Sequence, residues 1–329
     1  MNVLFCEPSK SYYIRIANCK LYMKKLISSS ILGHEALLLL TAIIWGLAFV
    51  AQRAGMESIG PFVFNGIRFL LGSFSLLPVV ILVNRNNMPV GKHAKSPALQ
   101  SMKNKFVWVS GIISGLVLFI ASSFQQMGMV FTTAGNAGFI TSLYVIMVPL
   151  LGLIFGLKVN RYTWMGALLA VIGLYFISVN TGFSIQKGDL LVLASAFFFA
   201  IHLLVIGYYS NKTDVLRLAL IQFALTGILS LIVGYFTEVI DINQIKLATI
   251  PLLYGGLMSV GVAYTLQIVG QKKAIPAHAA IILSLEALFA ALGGWLILGE
   301  MFTARQVLGG TLMLAGLVLS QLTFNQAKK

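Results

Sequence analysis

Acidic side chains are scarce in this sequence: nine Asp and Glu stand among 329 residues, against 23 Lys and Arg. Charged residues of both signs make up only 10% of the chain, where an ordinary soluble domain has roughly 25%, and 58% is hydrophobic. A water-solvated surface cannot be assembled from that inventory, so the solvent around most of the chain is lipid. Cysteine is nearly lacking too. Cys6 and Cys19 both fall in the polar N-terminal segment, where their spacing suggests neither a metal site nor a disulfide framework.

Several motifs are missing, and each absence removes a class. There is no His-Glu-x-x-His pair for a catalytic metal, no Gly-x-x-x-x-Gly-Lys-[Ser/Thr] loop for a nucleotide, and no Gly-x-Ser-x-Gly elbow for a serine nucleophile. Neither an enzyme nor a nucleotide-driven pump is expected, and no cofactor. The net charge of +14 does not point to nucleic acid, because the basic residues sit in short gaps between apolar runs instead of on one face of a soluble domain.

What the sequence has in abundance is long apolar runs. A helix needs about 20 apolar residues to cross a hydrocarbon core about 30 Å thick. Ten runs qualify, at about 35–54, 61–83, 106–127, 132–156, 162–179, 188–209, 215–236, 248–270, 277–298 and 303–324. Residues 1–34 read as a cytoplasmic N-terminal segment, with Met23, followed by Lys24 and Lys25, as the expected translation start. With both termini inside, the outer connections carry four basic residues, Arg53, Lys187, Lys246 and Arg305, and the inner segments carry 18. That excess of basic residues predicts a multi-pass plasma-membrane protein in this orientation.

The chain repeats itself. Gly156, Gly166 and Gly173 recur as Gly299, Gly309 and Gly316 at a constant offset of 143 residues, with Thr141 meeting Ser284 in the same register. The expected fold is an all-α integral membrane protein of two five-helix repeats, 35–180 and 188–325. Five is odd, so the second repeat starts on the opposite side of the membrane, and the repeats are inverted. Inverted repeats are a recurring design of secondary transporters, with the substrate near the midplane. Gly166, Gly173, Gly309 and Gly316 are expected to pack helices closely. Pro149 and the pair Gly293 and Gly294 fall at matching heights, as hinges or ordinary kinks.

Three runs resemble a known family: Ile44-Trp45-Gly46-Leu47-Ala48-Phe49-Val50, Ile67-Arg68-Phe69-Leu70-Leu71, and Ser284 to Glu300 with its Glu286 and terminal Gly-Glu, followed by Gly309 and Gly316. Over about 35–324 the chain is similar to the drug/metabolite transporter superfamily, EamA-type branch. The resemblance implies a ten-helix inner-membrane carrier whose halves line a central cavity. It also implies alternating access and substrates that are often amino acids, metabolites or drugs, often exported. The first half departs from the pattern, since Leu143 stands where Glu286 stands in the second.

An ionisable group inside a membrane is a functional candidate by default. Glu286 lies about nine residues into the ninth run, roughly 14 Å deep. It reads either as a site for a cationic group or a coupling proton, or as a packing residue. Trp45 and Tyr144 reach similar depth. Arg68 reads as a side chain snorkelling to the outer interface, or as a partner of Glu286 or of a substrate carboxylate. His202 and His278 titrate in the right range for proton relays, but also serve as ordinary hydrogen-bonding residues. Gln126, Asn136, Thr141, Tyr264 and Gln267 are candidate cavity-lining groups. The function expected is secondary transport of small metabolites, with a passive channel or lipid flippase as the alternative; the partners are a small solute and the bilayer, and the chain is a monomer or homodimer.

Overall fold

Backbone amides in hydrocarbon find partners only within their own segment, and the apolar runs form helices accordingly. The computed structural model describes residues 31–86, 105–178, 187–298 and 303–321, and these contain no strand. Met23, Cys6, Cys19, Gly299, Glu300 and the basic residues of 87–104 and of the C-terminal segment lie outside the described residues.

In chain order the helices are α1 (Ile31–Gly55), α2 (Pro61–Asn86), α3 (Lys105–Met129), α4 (Ala134–Ser142), α5 (Tyr144–Ile154), α6 (Arg161–Ser178), α7 (Lys187–Tyr209), α8 (Val215–Thr237), α9 (Ile242–Leu247) and α10 (Thr249–Leu253). A π-helical segment, Tyr254–Tyr264, runs straight on into α11 (Thr265–Gly270), followed by α12 (Pro276–Leu283), α13 (Glu286–Leu298) and α14 (Ala304–Gln321). Among the described residues eight stretches are long and apolar enough to cross a membrane, with α4–α5, α10–α11 and α12–α13 each counting as one. The fifth and tenth predicted spans correspond to α6 and α14, the second of which holds a shorter apolar stretch, Val307–Ser320. The outside suits lipid: Phe74, Ile81, Ile154, Leu168 and Phe236 are all more than half exposed, a surface that would aggregate in water.

Two spans read as continuous in the sequence are broken. At Leu143 the amide bonds back to the Ile140 carbonyl, and Leu143 in turn accepts from Ile146. At the second break Leu285 bonds to Ile282, and Ala287 to Ser284. These i to i−3 bonds tighten one turn, a feature that frequently marks functional hinges. The first break lies six residues before Pro149, which sits inside α5. Gly293 and Gly294 likewise sit inside α13. The interruptions therefore occur at Ser-Leu sequences and not at the residues chosen for their backbone chemistry.

Helices α6 and α14 pack antiparallel with almost nothing between them. A Cβ on Gly166 would meet the Gly316 carbonyl oxygen at 2.5 Å, and one on Gly173 would meet that of Gly309 at 2.5 Å. At one end of the bundle the start of α2 is closed by a distant side chain: the Glu238 carboxylate accepts hydrogen bonds from the Phe62 and Val63 amides, both 2.8 Å. This is the capping role usually filled by a local Ser or Asp, with the helix dipole favouring the negative charge. Glu238→Ala orphans both amides. We expect it to cost about 1 kcal/mol of stability, read as a lower melting temperature in detergent with transport retained.

Candidate functional site

The two helix breaks and the π segment meet at a small interior cavity. Its walls come from α1 (Trp45, Phe49, Gln52), Arg68 of α2, Gln125 of α3, Thr141 and Tyr144 at the first break, Phe199 of α7, Ser259 and Tyr264 of the π segment, and Glu286 at the start of α13. The cavity measures about 30 Å³, room for about two water molecules and too little for a metabolite. This conformation is contracted around its polar groups.

Helix α1 is anchored on the π segment. The Trp45 Nε1–H donates to the Ser259 carbonyl (3.3 Å), Thr41 Oγ1 to that of Ala263 (3.2 Å), and the Tyr254 hydroxyl to that of Ile44 (3.1 Å). Trp45 meets Tyr264 edge to face with centroids 4.6 Å apart. On its other side α1 rests on α13 through Gly46, where a Cβ would meet the Glu286 carbonyl oxygen at 2.7 Å. That glycine lets the α1 backbone sit directly on the backbone that carries the acidic residue.

Glu286 is 3% exposed. A buried carboxylate needs compensation, and here it comes from the Ser142 hydroxyl, which donates to Oε1 at 3.3 Å across the two breaks, and from the N-terminus of α13. The Tyr144 hydroxyl faces the same carboxylate without closing a hydrogen bond of ordinary geometry. Arg68 is 2% exposed and does not snorkel. Its Nε–H donates to Asn65 Oδ1 (2.9 Å), Asn65 in turn donates to the Ser122 carbonyl (3.0 Å), and the guanidinium lies over the rings of Phe69 and Phe64 at 5.0 and 5.6 Å. Among the described residues, Arg68 and Glu286 form no ion pair within 4.0 Å although they line one cavity.

The other sequence candidates lie elsewhere. His202 sits 3.2 Å from Gln222 Oε1, joining α7 to α8. His278 bridges helices, with Nδ1 2.9 Å from Ser320 Oγ and Nε2 3.1 Å from Glu35 Oε1. Gln267 donates to Gln271, which donates to the Leu203 carbonyl. Gln126 is buried and reaches the Gln52 carbonyl at 3.5 Å. Asn136 lies in the first turn of α4, its amide capped by Thr133. None of these five is in the cavity wall.

The wall residues not singled out from the sequence are Phe49, Gln52, Gln125, Phe199 and Ser259. Phe49 and Gln52 follow Trp45 at i+4 and i+7 on one helical face, a signal that was available. Gln125 stands next to Gln126 and donates to Thr141 Oγ1 (3.1 Å).

A helical bundle of apolar exterior, closed around a small cavity with one acidic and one basic side chain in its wall, suits the class of membrane transport proteins. The chain belongs to the EamA-like transporter family, whose model matches it twice, over residues 34–179 and 186–322. It is 32% identical over 287 residues to an uncharacterized transporter of Archaeoglobus fulgidus, covering 87% of this chain and 84% of that one. It is also 25% identical to a probable amino-acid metabolite efflux pump of Salmonella typhimurium, covering 88% and 94%. One solved structure has a similar fold, with a TM-score of 0.69 at 16% identity over 90% of this chain and 99% of the other.

Proposed function

We propose that the protein carries small zwitterionic metabolites, amino acids foremost, by alternating access around the central cavity. The observation that carries this reading is the pair of opposite charges that share one cavity without neutralising each other. A solute with carboxylate and ammonium groups satisfies both, and the ring of Trp45, Phe49, Tyr144, Phe199 and Tyr264 suits an apolar side chain. Arg68 takes the carboxylate with its remaining guanidinium donors, and Glu286 takes the ammonium group or, between solutes, a coupling proton.

Ten spans in two inverted repeats underlie the cycle. The α6–α14 seam supports this. The repeat offset turns the contact of Gly166 with Gly316 into that of Gly309 with Gly173, which is the exchange a two-fold axis between antiparallel helices performs. The contracted cavity corresponds to an occluded stage that must widen towards one side to admit a solute. The orientation with both termini in the cytoplasm follows from the basic connections, and export follows the description of the Salmonella relative.

Reconstituted protein is expected to show saturable counterflow of labelled amino acids, driven by unlabelled solute on the opposite face. Flux that rises linearly with concentration and shows no counterflow would identify a channel, and scrambling of labelled lipid without solute flux would identify a flippase.

A further inference from the structure

A second pocket lies apart from the central cavity and shares no wall residue with it. It is a groove of about 610 Å³ between α3, the connection after α5, α7 and the start of α12, within the size range of small-ligand sites, roughly 300–1,000 Å³. Its walls are mostly apolar, with Ile113, Leu204 and Phe155 among them, and also hold Tyr208, Asn211 and Lys212. Lys212 Nζ rests 3.3 Å above the Tyr208 ring.

Two connections line the groove through Leu157 and Lys212, and a third, 271–275, ends at its wall residue Pro276. These connections, 155–160, 210–214 and 271–275, carry Lys158, Lys212, Lys272 and Lys273 against a single acid, Asp214. That acid is engaged at the start of α8, where its carboxylate accepts from the Arg217 amide at 3.1 Å. A mostly apolar groove whose wall also carries a lysine and tyrosines, bordered by basic connections, suits an amphipath with an anionic head.

We propose that this groove binds one anionic phospholipid, with an acyl chain laid along Ile113, Leu204 and Phe155 and the phosphate held at Lys212. Each methylene withdrawn into the slot adds to retention, and the lysines select the charge of the head. The site is independent of which solute is carried. It abuts the transport machinery at one point, where Pro276, the first residue of α12, packs so closely on α7 that a Cβ on Gly207 would meet its Cγ at 2.7 Å.

The test is native mass spectrometry of protein released from bilayers containing equal phosphatidylglycerol and phosphatidylcholine. One phosphatidylglycerol per chain is expected to survive release in preference to phosphatidylcholine, and to raise the melting temperature when added back. Lys212→Gln should weaken that retention about fivefold, the worth of one lysine at an anionic surface. Ile113→Trp should fill the slot and release lipid of either head, while Lys246→Gln, on α9 away from the groove, should change nothing. Equal retention of the two lipids, or unchanged retention in Lys212→Gln, overturns the proposal. So does a stable dimer that excludes phosphatidylglycerol, which would assign the groove to a second copy of the chain.

Discussion

Replacing Glu286 by Gln is expected to lower solute flux by ten- to a hundredfold while leaving the fold intact. The amide keeps an oxygen for the Ser142 hydroxyl, which donates to Oε1 at 3.3 Å, and has nearly the same volume, so packing at the start of α13 is preserved. What disappears is the charge. A hydrogen bond to a charged group contributes about 1.5–3 kcal/mol, and each 1.4 kcal/mol is about tenfold in affinity. Flux in proteoliposomes gives the first reading and the melting temperature the second. The response of flux to an imposed pH gradient is expected to disappear with the carboxylate if it also carries the coupling proton. A variant that transports at the normal rate and with the normal pH response would reduce Glu286 to a packing residue. Loss of flux together with a large fall in melting temperature would point the same way.

Gly166→Val should do the opposite, acting on stability first. The position offers no room: a first carbon beyond the backbone would lie 2.5 Å from the Gly316 carbonyl oxygen and 3.0 Å from Ser320 Cβ. The nearest obstacle is backbone, which cannot rotate away, so α6 and α14 must separate along the seam. Overpacking of well-packed interiors costs about 1–3 kcal/mol, and a backbone clash belongs at the upper end. In membranes helix association rests on close packing more than on water exclusion, so little else compensates. The melting temperature should fall by several degrees and the yield of monodisperse protein with it. Gly135→Ala is the matched control, because nothing lies within 4 Å of its added carbon. Equal behaviour of the two variants would show that the seam does not hold the bundle together.

The sequence revealed the architecture better than it revealed the site. Apolar runs longer than a bilayer is thick leave few alternatives to helices, and the glycines at offset 143 mark the faces on which α6 and α14 meet. Trp45, Tyr144 and Glu286 follow from their depth and Thr141 and Tyr264 from their polar chemistry, while Arg68 reads as snorkelling to the outer interface; all six stand in the cavity wall. The breaks at Leu143 and Leu285 were not legible, because no glycine or proline lies at either position. The second lies beside Glu286, whose carbonyl oxygen a Cβ on Gly46 of α1 would meet at 2.7 Å. That contact joins residues some 240 positions apart and leaves no local trace. The choice between Gln125 and Gln126 failed for a simpler reason. Adjacent helical residues point about 100° apart, and a few degrees in the roll of α3 decide which one faces the cavity.

The α6–α14 seam has a further consequence, for the order of assembly. Synthesis delivers α6 to the membrane long before α14 exists, so α6 must wait with its glycine face unmatched while eight further helical elements are inserted. A chain stalled before α14 would leave carbonyl-lined backbone open to lipid at Gly166 and Gly173. The seam thus closes only on a finished polypeptide, and quality control that senses loosely held helices would discriminate complete chains from truncated ones at this one contact.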